Sequence, residues 1–273
     1  MRYYKSKLFI MLVLQIFVIL GYASPVWAFT YSTARRVEAQ EGFNRISAII
    51  KLPETRNISG INAKMGEAAY NFYSIYNTGT GEIMDFGLGK DKKDADKNIW
   101  TVYVNHYFPN GTSKWLDFNS RKIQPYIRNG SRTVEKIQIP DGTSVHMQLY
   151  VSKANEVTLN IAYGSKNIRI TQVFDGVNDE GQGFRLMREC SLITKSGWAD
   201  QDYSQKNLWK DIYLYDQQDK YVWNPNNSHL TYTSEDYVDG DAAHKVEVKV
   251  ITANPSYTEI VNILGPNKSS EAE

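Results

Sequence analysis

From Phe29 onward the chain is a succession of short runs in which apolar and polar residues alternate, each closed by turn residues after about ten positions. The runs include "FNRISAIIKL", "AAYNFYSIYN", "GEIMDFGLG", "NIWTVYVNHYF", "SVHMQLYVS", "EVTLNIAY", "NIRITQVF", "FRLMRECSLI", "KDIYLYD", "KYVWN", "HKVEVKVI" and "TEIVNIL". Between them stand "NTGTG", "PNG", "PDG", "YGSKN" and "NPNN", whose Gly, Asn, Asp and Pro residues supply turn geometry. No long stretch has a helical period. A dozen short strands at hairpin spacing predict an all-β domain, a two-sheet antiparallel sandwich or a barrel.

The first residues are of another kind. Arg2, Lys5 and Lys7 precede the apolar run "LFIMLVLQIFVILGY", and Val26 and Ala28 stand at −3 and −1 of a cleavage after Ala28. That basic, apolar, small-residue order predicts an export signal over residues 1–28, and the apolar core is short for a membrane span. The expected product is secreted, without a membrane association once the signal is cleaved. It comprises a single β-sandwich domain over 29–266 and a polar tail, "NKSSEAE", over 267–273. Loss of the three basic residues takes the formal charge from +1 to −2, so no electrostatic footprint for nucleic acid is expected. Cys190 is the single cysteine. With no internal disulfide, stability must come from the core, and Cys190 in "RLMRECSLI" reads as a small buried apolar residue.

Side chains alternate across a strand, so parity sorts the faces. Met84, Phe86 and Leu88 share one face of "GEIMDFGLG", and Trp100, Val102, Val104 and Phe108 share one face of "IWTVYVNHYF". These are core candidates, and His106 falls in their phase. The opposite faces carry Asp85, Gly87 and Gly89 on one run and Thr101, Tyr103, Asn105 and Tyr107 on the other. If the two runs pair, Asp85 lies beside Tyr103, Asn105 or Tyr107. The glycines would leave room for a ligand to approach the sheet, and tyrosine offers a flat ring with a polar tip. Asp85, Tyr103, Asn105 and Tyr107 are therefore the candidate ligand-binding residues, expected on the outer, concave face of one sheet as part of a shallow groove for a glycan, cell-wall polymer or peptide. A plain tyrosine-rich sheet is the alternative.

The order "IKLPE", "AYNFYSIYN", "IMDFGLG", "WTVYVNHYFPNG", followed by "IQIPDGTSVHMQLYVSKANEVTLNI", resembles exported concanavalin A-like jelly rolls of the YrpD type. That resemblance implies a fold and an address rather than an activity. A more distant resemblance is to the glutamic peptidases, or eqolisins, which share the sandwich. Their pattern has a glutamine two residues before a glycine and a glutamate three residues before a proline. Here "DFG" puts Asp85 at the first position and "HYFP" puts His106 at the second, so both members are changed. Retaining jelly-roll glucanases carry three acids in alternation on one strand; in "EIMDFG" Glu82 and Asp85 fall in opposite phases, and Gly87 stands where the third acid would be.

Other patterns are weaker. Asp94, Asp96 and Asn98 have part of a calcium-loop spacing, but Ile99 and Asn110 replace its glycine and glutamate, so a solvated charged loop is expected. "DGVNDEG" lacks a ligand spacing. His106, His146, His229 and His244 share no zinc pattern, and no phosphate cradle or nucleophile elbow is present. No catalytic residue, metal or cofactor is assigned. The expectation is a secreted, non-catalytic module that binds glycan or cell-wall polymer; the alternative is a hydrolase, peptidase or glycosidase, working around Asp85.

Overall fold

The computed structural model describes residues 32–54, 68–91, 94, 97–115, 137–193, 203–238 and 245–265. The expected signal segment 1–28 and tail 267–273 lie outside them. Sixteen strands are described. In chain order they are Ser32–Ala39 (β1), Arg45–Lys51 (β2), Ala68–Asn77 (β3), Ile83–Asp91 (β4), Ile99–Tyr107 (β5), Ser113–Trp115 (β6), Gln138–Pro140 (β7) and Ser144–Lys153 (β8). There follow Glu156–Tyr163 (β9), Lys166–Val173 (β10), Phe184–Ile193 (β11), Ser204–Tyr215 (β12), Lys220–Val222 (β13), Thr231–Val238 (β14), Lys245–Thr252 (β15) and Thr258–Leu264 (β16).

The strands form two eight-stranded sheets. Sheet A runs β14-β1-β11-β3-β4-β5-β6, with β7 beside β5; sheet B runs β10-β9-β8-β2-β12-β16-β15, with β13 beside β12. The ladders are antiparallel throughout. The all-β, two-sheet jelly-roll-like sandwich is thus the observed fold.

Alternation explains how the layers close. Met84, Phe86, Leu88, Trp100, Val102 and Val104 all lie buried between the sheets. They meet Ile46, Ala48 and Ile50 of β2, Met147 and Leu149 of β8, and Leu159 and Ile161 of β9 in the same cluster. Cys190 belongs to it too, and burial pushes its thiol far above the ordinary range, which suits an inert core residue.

The core is not wholly apolar. Arg188 of β11 faces inward, pairs with Glu259 of β16, and has its guanidinium carbon 5.6 Å and 5.4 Å from the ring centres of Trp209 and Trp223. Tyr257 donates to Glu259 at 2.9 Å and Arg35 lies 3.9 Å from the same carboxylate. Burial alone would push Glu259 up, yet the guanidiniums of Arg188 and Arg35 and the Tyr257 hydroxyl hold it below the usual range. A second bridge joins the sheets where Asn71 of β3 donates to Asn207 of β12 at 3.0 Å.

Candidate functional site

The β4–β5 ladder sets the site. Its register places Asp85 opposite Asn105, Gly87 opposite Tyr103 and Ile83 opposite Tyr107. On the other side of β4, Ser74 of β3 stands opposite Asp85 and Phe72 opposite Gly87. β11 continues these rows with Met187 opposite Ser74 and Glu189 opposite Phe72, and β1 brings Arg36 opposite Glu189. Since Met84, Phe86 and Leu88 face the core, this whole set lies on the outer face of sheet A.

The four residues expected together are together, but the face is not an open groove. Tyr103 and Tyr107 are each 8% exposed, Asp85 7% and Asn105 1%. Tyr103 is used as packing: its ring stands edge-on to Tyr70 at 5.1 Å and to Phe72 at 6.1 Å between centroids. The glycines serve the same packing rather than a ligand. A Cβ on Gly87 would fall 2.3 Å from the Phe72 Cβ, so its absence lets β3 approach β4; one on Gly89 would fall 3.1 Å from the Tyr70 ring. Parity tells which side a residue takes, not what covers it.

The buried carboxyl of Asp85 accepts a hydrogen bond from the Ser74 hydroxyl at 2.6 Å and one from Tyr107. Burial pushes its pKa up to about 7; the Ser74 bond opposes that, the negative charge of Glu189 adds to it, and Arg36 and Tyr107 draw it back. Glu189 is 4% exposed and forms an ion pair with Arg36 at 2.6 Å. The amide of Asn105 lies beside the Tyr107 hydroxyl, yet neither of its polar atoms completes a well-formed hydrogen bond among the described residues. Burial pushes the hydroxyls of Tyr103 and Tyr107 well above the ordinary tyrosine range, so both stay protonated donors.

His106 does not join this set. It stands opposite Met84 on the other face of β5, 2.9 Å from Glu82, and its ring stacks on Phe108 at 4.2 Å. No bulge interrupts the β4–β5 register to turn it toward Asp85. The charged loop also departs from expectation. Asp94 is 3% exposed and accepts from Thr101 at 3.0 Å, so it is a buried hydrogen-bonding residue rather than a solvated one. Asp96 lies outside the described residues. Among the described residues, no group of three or more His, Cys, Asp or Glu converges to hold a metal.

Glu189 and Arg36 were not foreseen from sequence. Their strands, "STARRVEA" and "FRLMRECSLI", carry charges in both phases, because Arg35 and Arg188 face the core while Arg36 and Glu189 face outward.

No protein-family model matches the chain and no curated protein is similar to it in sequence. Among solved structures, the chain is similar to scytalido-glutamic peptidase bound to a peptide-based transition-state analogue, at 10% identity over 85% of this chain and 98% of that one, TM-score 0.47. It is similar to SCP-B, a member of the eqolisin family of peptidases, at 8% identity over 86% and 98%, TM-score 0.46. A beta-porphyranase from the human gut bacterium Bacteroides plebeius matches at 12% identity over 62% and 57%, TM-score 0.33. These are likenesses of a β-sandwich, and the chemistry has to be taken from this chain's own residues.

Proposed function

We propose that the protein is an exported hydrolase whose acid–base machinery is Asp85 with Glu189 on the outer face of sheet A. One observation carries this: two carboxyl groups are buried on one sheet face with unlike neighbours, two hydroxyls at Asp85 and a guanidinium at Glu189. Unlike settings for two carboxyls are how one site holds an acid and a base at the same pH. Asp85, near half-protonated at neutrality, gives its proton to the leaving group. Glu189, as the carboxylate paired with Arg36, accepts a proton from the attacking water. The Asn105 amide donates to oxygen as negative charge develops there, while the Tyr107 hydroxyl keeps its hydrogen bond to Asp85 and steadies the carboxylate left when the proton departs. The water's oxygen ends on the cleaved centre and the scissile bond's electrons on the leaving group, now protonated.

Sheet spacing separates the two backbone positions, two strands and two residues apart, by about 12 Å. Because the cluster is enclosed, substrate entry requires a local opening over this face. Use of the Tyr103 ring by Tyr70 and Phe72 removes the basis for an open sugar-stacking platform here. The likeness to YrpD-type exported jelly rolls and the export pattern over 1–28 support an extracellular setting.

The test is release of peptides from a fluorogenic peptide library and of reducing ends from a glycan panel, by wild type, Asp85→Asn and Glu189→Gln. Cleavage by wild type, reduced at least a hundredfold in both variants, is expected. Absence of cleavage across both panels, or full activity in Asp85→Asn, overturns the proposal.

A further inference from the structure

The outer face of sheet B differs from that of sheet A. Across β12, β2, β8, β9 and β10 the registers align Tyr213, Ser47, Gln148, Asn160 and Arg169 in one row. The adjoining row begins Tyr215, Arg45, Tyr150. The Arg45 guanidinium carbon lies 5.3 Å from the Tyr215 ring centre and 5.6 Å from that of Tyr150, and the Lys220 ammonium lies 3.5 Å from the Tyr213 ring centre. Lys51, Lys210 and Arg169 are exposed on the same side. Among the described residues, no carboxylate lies within ion-pair distance of Arg45 or Arg169. The acids on this part of the face are engaged: Glu156 with Lys153 at 3.0 Å, and Asp211 at 4.0 Å from Lys210. A chain of nearly balanced charge therefore presents one cationic, tyrosine-bearing sheet face.

From this we infer that the outer face of sheet B binds an extended anionic polysaccharide. Four strand gaps give the row a length of about 19 Å, enough for an oligosaccharide laid across the strands. Half-buried tyrosines stack on sugar rings, Gln148 and Asn160 offer amides to hydroxyls, and Arg45 and Arg169 match carboxylates spaced along the polymer. The side-chain oxygen of Asn160 is buried and without a hydrogen-bond partner among the described residues. Binding here is separate from the chemistry assigned to Asp85, which sits on the opposite sheet.

Affinity electrophoresis of the purified protein through gels holding polygalacturonate, alginate, neutral dextran or duplex DNA tests this. Retardation by both polyuronates and not by dextran is expected. It should weaken at least tenfold in Arg45→Ala/Arg169→Ala and at least fivefold in Tyr150→Ala, and persist in Asp85→Asn. Arg169→Gln alone, at an exposed position, keeps the test decisive if the double variant misfolds; at least threefold weakening is expected. No retardation by either polyuronate overturns the inference. So does equal retardation by DNA with no effect of Tyr150→Ala, which would show charge attraction alone.

Discussion

Asp85 and Asn105 stand directly opposite each other across the β4–β5 ladder, on the side of the sheet that faces away from the core, and both are buried. A pair so placed in an ordinary sandwich would be hydrated. Here a carboxyl and an amide share an enclosed setting, which raises the pKa of the first and leaves the second without a completed hydrogen bond among the described residues.

Activity should follow the proton on Asp85. With a pKa of about 7, the acid form predominates below neutrality and is lost above it, so the alkaline limb of the rate should fall through about pH 7. A pH–rate profile in which Asp85→Glu moves that limb supports the assignment. A limb that stays in place with any substitution at 85 removes it.

Stability should carry the same signature. The folded pKa is raised above the ordinary aspartate value of 3.8, so the native state holds a proton that the unfolded chain has released. Asp85's contribution is therefore fully present below about pH 4 and declines as pH rises to about 7. Three units correspond to at most about 4 kcal/mol. Melting curves from pH 4 to 8 should be flatter for Asp85→Asn than for wild type; parallel curves would count against it.

Tyr103→Ala should lower stability by about 3 kcal/mol, because it deletes a ring packed edge-on against two others. Urea unfolding measures this. A change under about 1 kcal/mol would return Tyr103 to the role of an exposed ligand-stacking residue.

Gly87→Ala should be worse than Gly89→Ala. The added methyl meets Phe72 backbone and Cβ at 2.6 Å and 2.3 Å in the first case, but only the Tyr70 and Tyr103 rings in the second. Overpacking of this kind costs about 1–3 kcal/mol and more where backbone must shift. Equal unfolding midpoints for the two variants would contradict the close approach of β3 and β4.

Glu259→Gln should destabilise by about 3–5 kcal/mol, since Arg188 would keep its charge between two indole rings without a counter-ion. Arg188→Met combined with Glu259→Leu should recover most of that loss. Failure of the double variant to recover would assign the pair a role beyond charge balance.

Alternation revealed the sandwich and the inward residues of β4 and β5, and it put Asp85 beside Asn105. It did not reveal β1, β14, β6 or β7, because "STARRVEA" and "TYTSEDYV" are too charged to show a period and the other two are three residues long. Glu189 reaches the site through β11–β3 and β3–β4 pairings. The first joins segments far apart in the chain, and no local pattern encodes it. The enclosure of Tyr103 escaped for a related reason: a neighbour such as Tyr70 fills the gap left by a glycine on another strand.

Asn71 meeting Asn207, and Arg188 meeting Glu259, have a consequence for how the two layers find each other. Leu, Ile and Val surfaces slide past one another with little preference, and β-sheets assembled from distant segments have many near-equivalent ways to dock. A displacement by one strand, about 4.8 Å, would maroon a guanidinium and a carboxylate in hydrocarbon. Four side chains in the middle of the molecule thus make misaligned assemblies far less stable than the correct one, and the alignment they select brings Arg35 of sheet A within reach of Glu259 of sheet B.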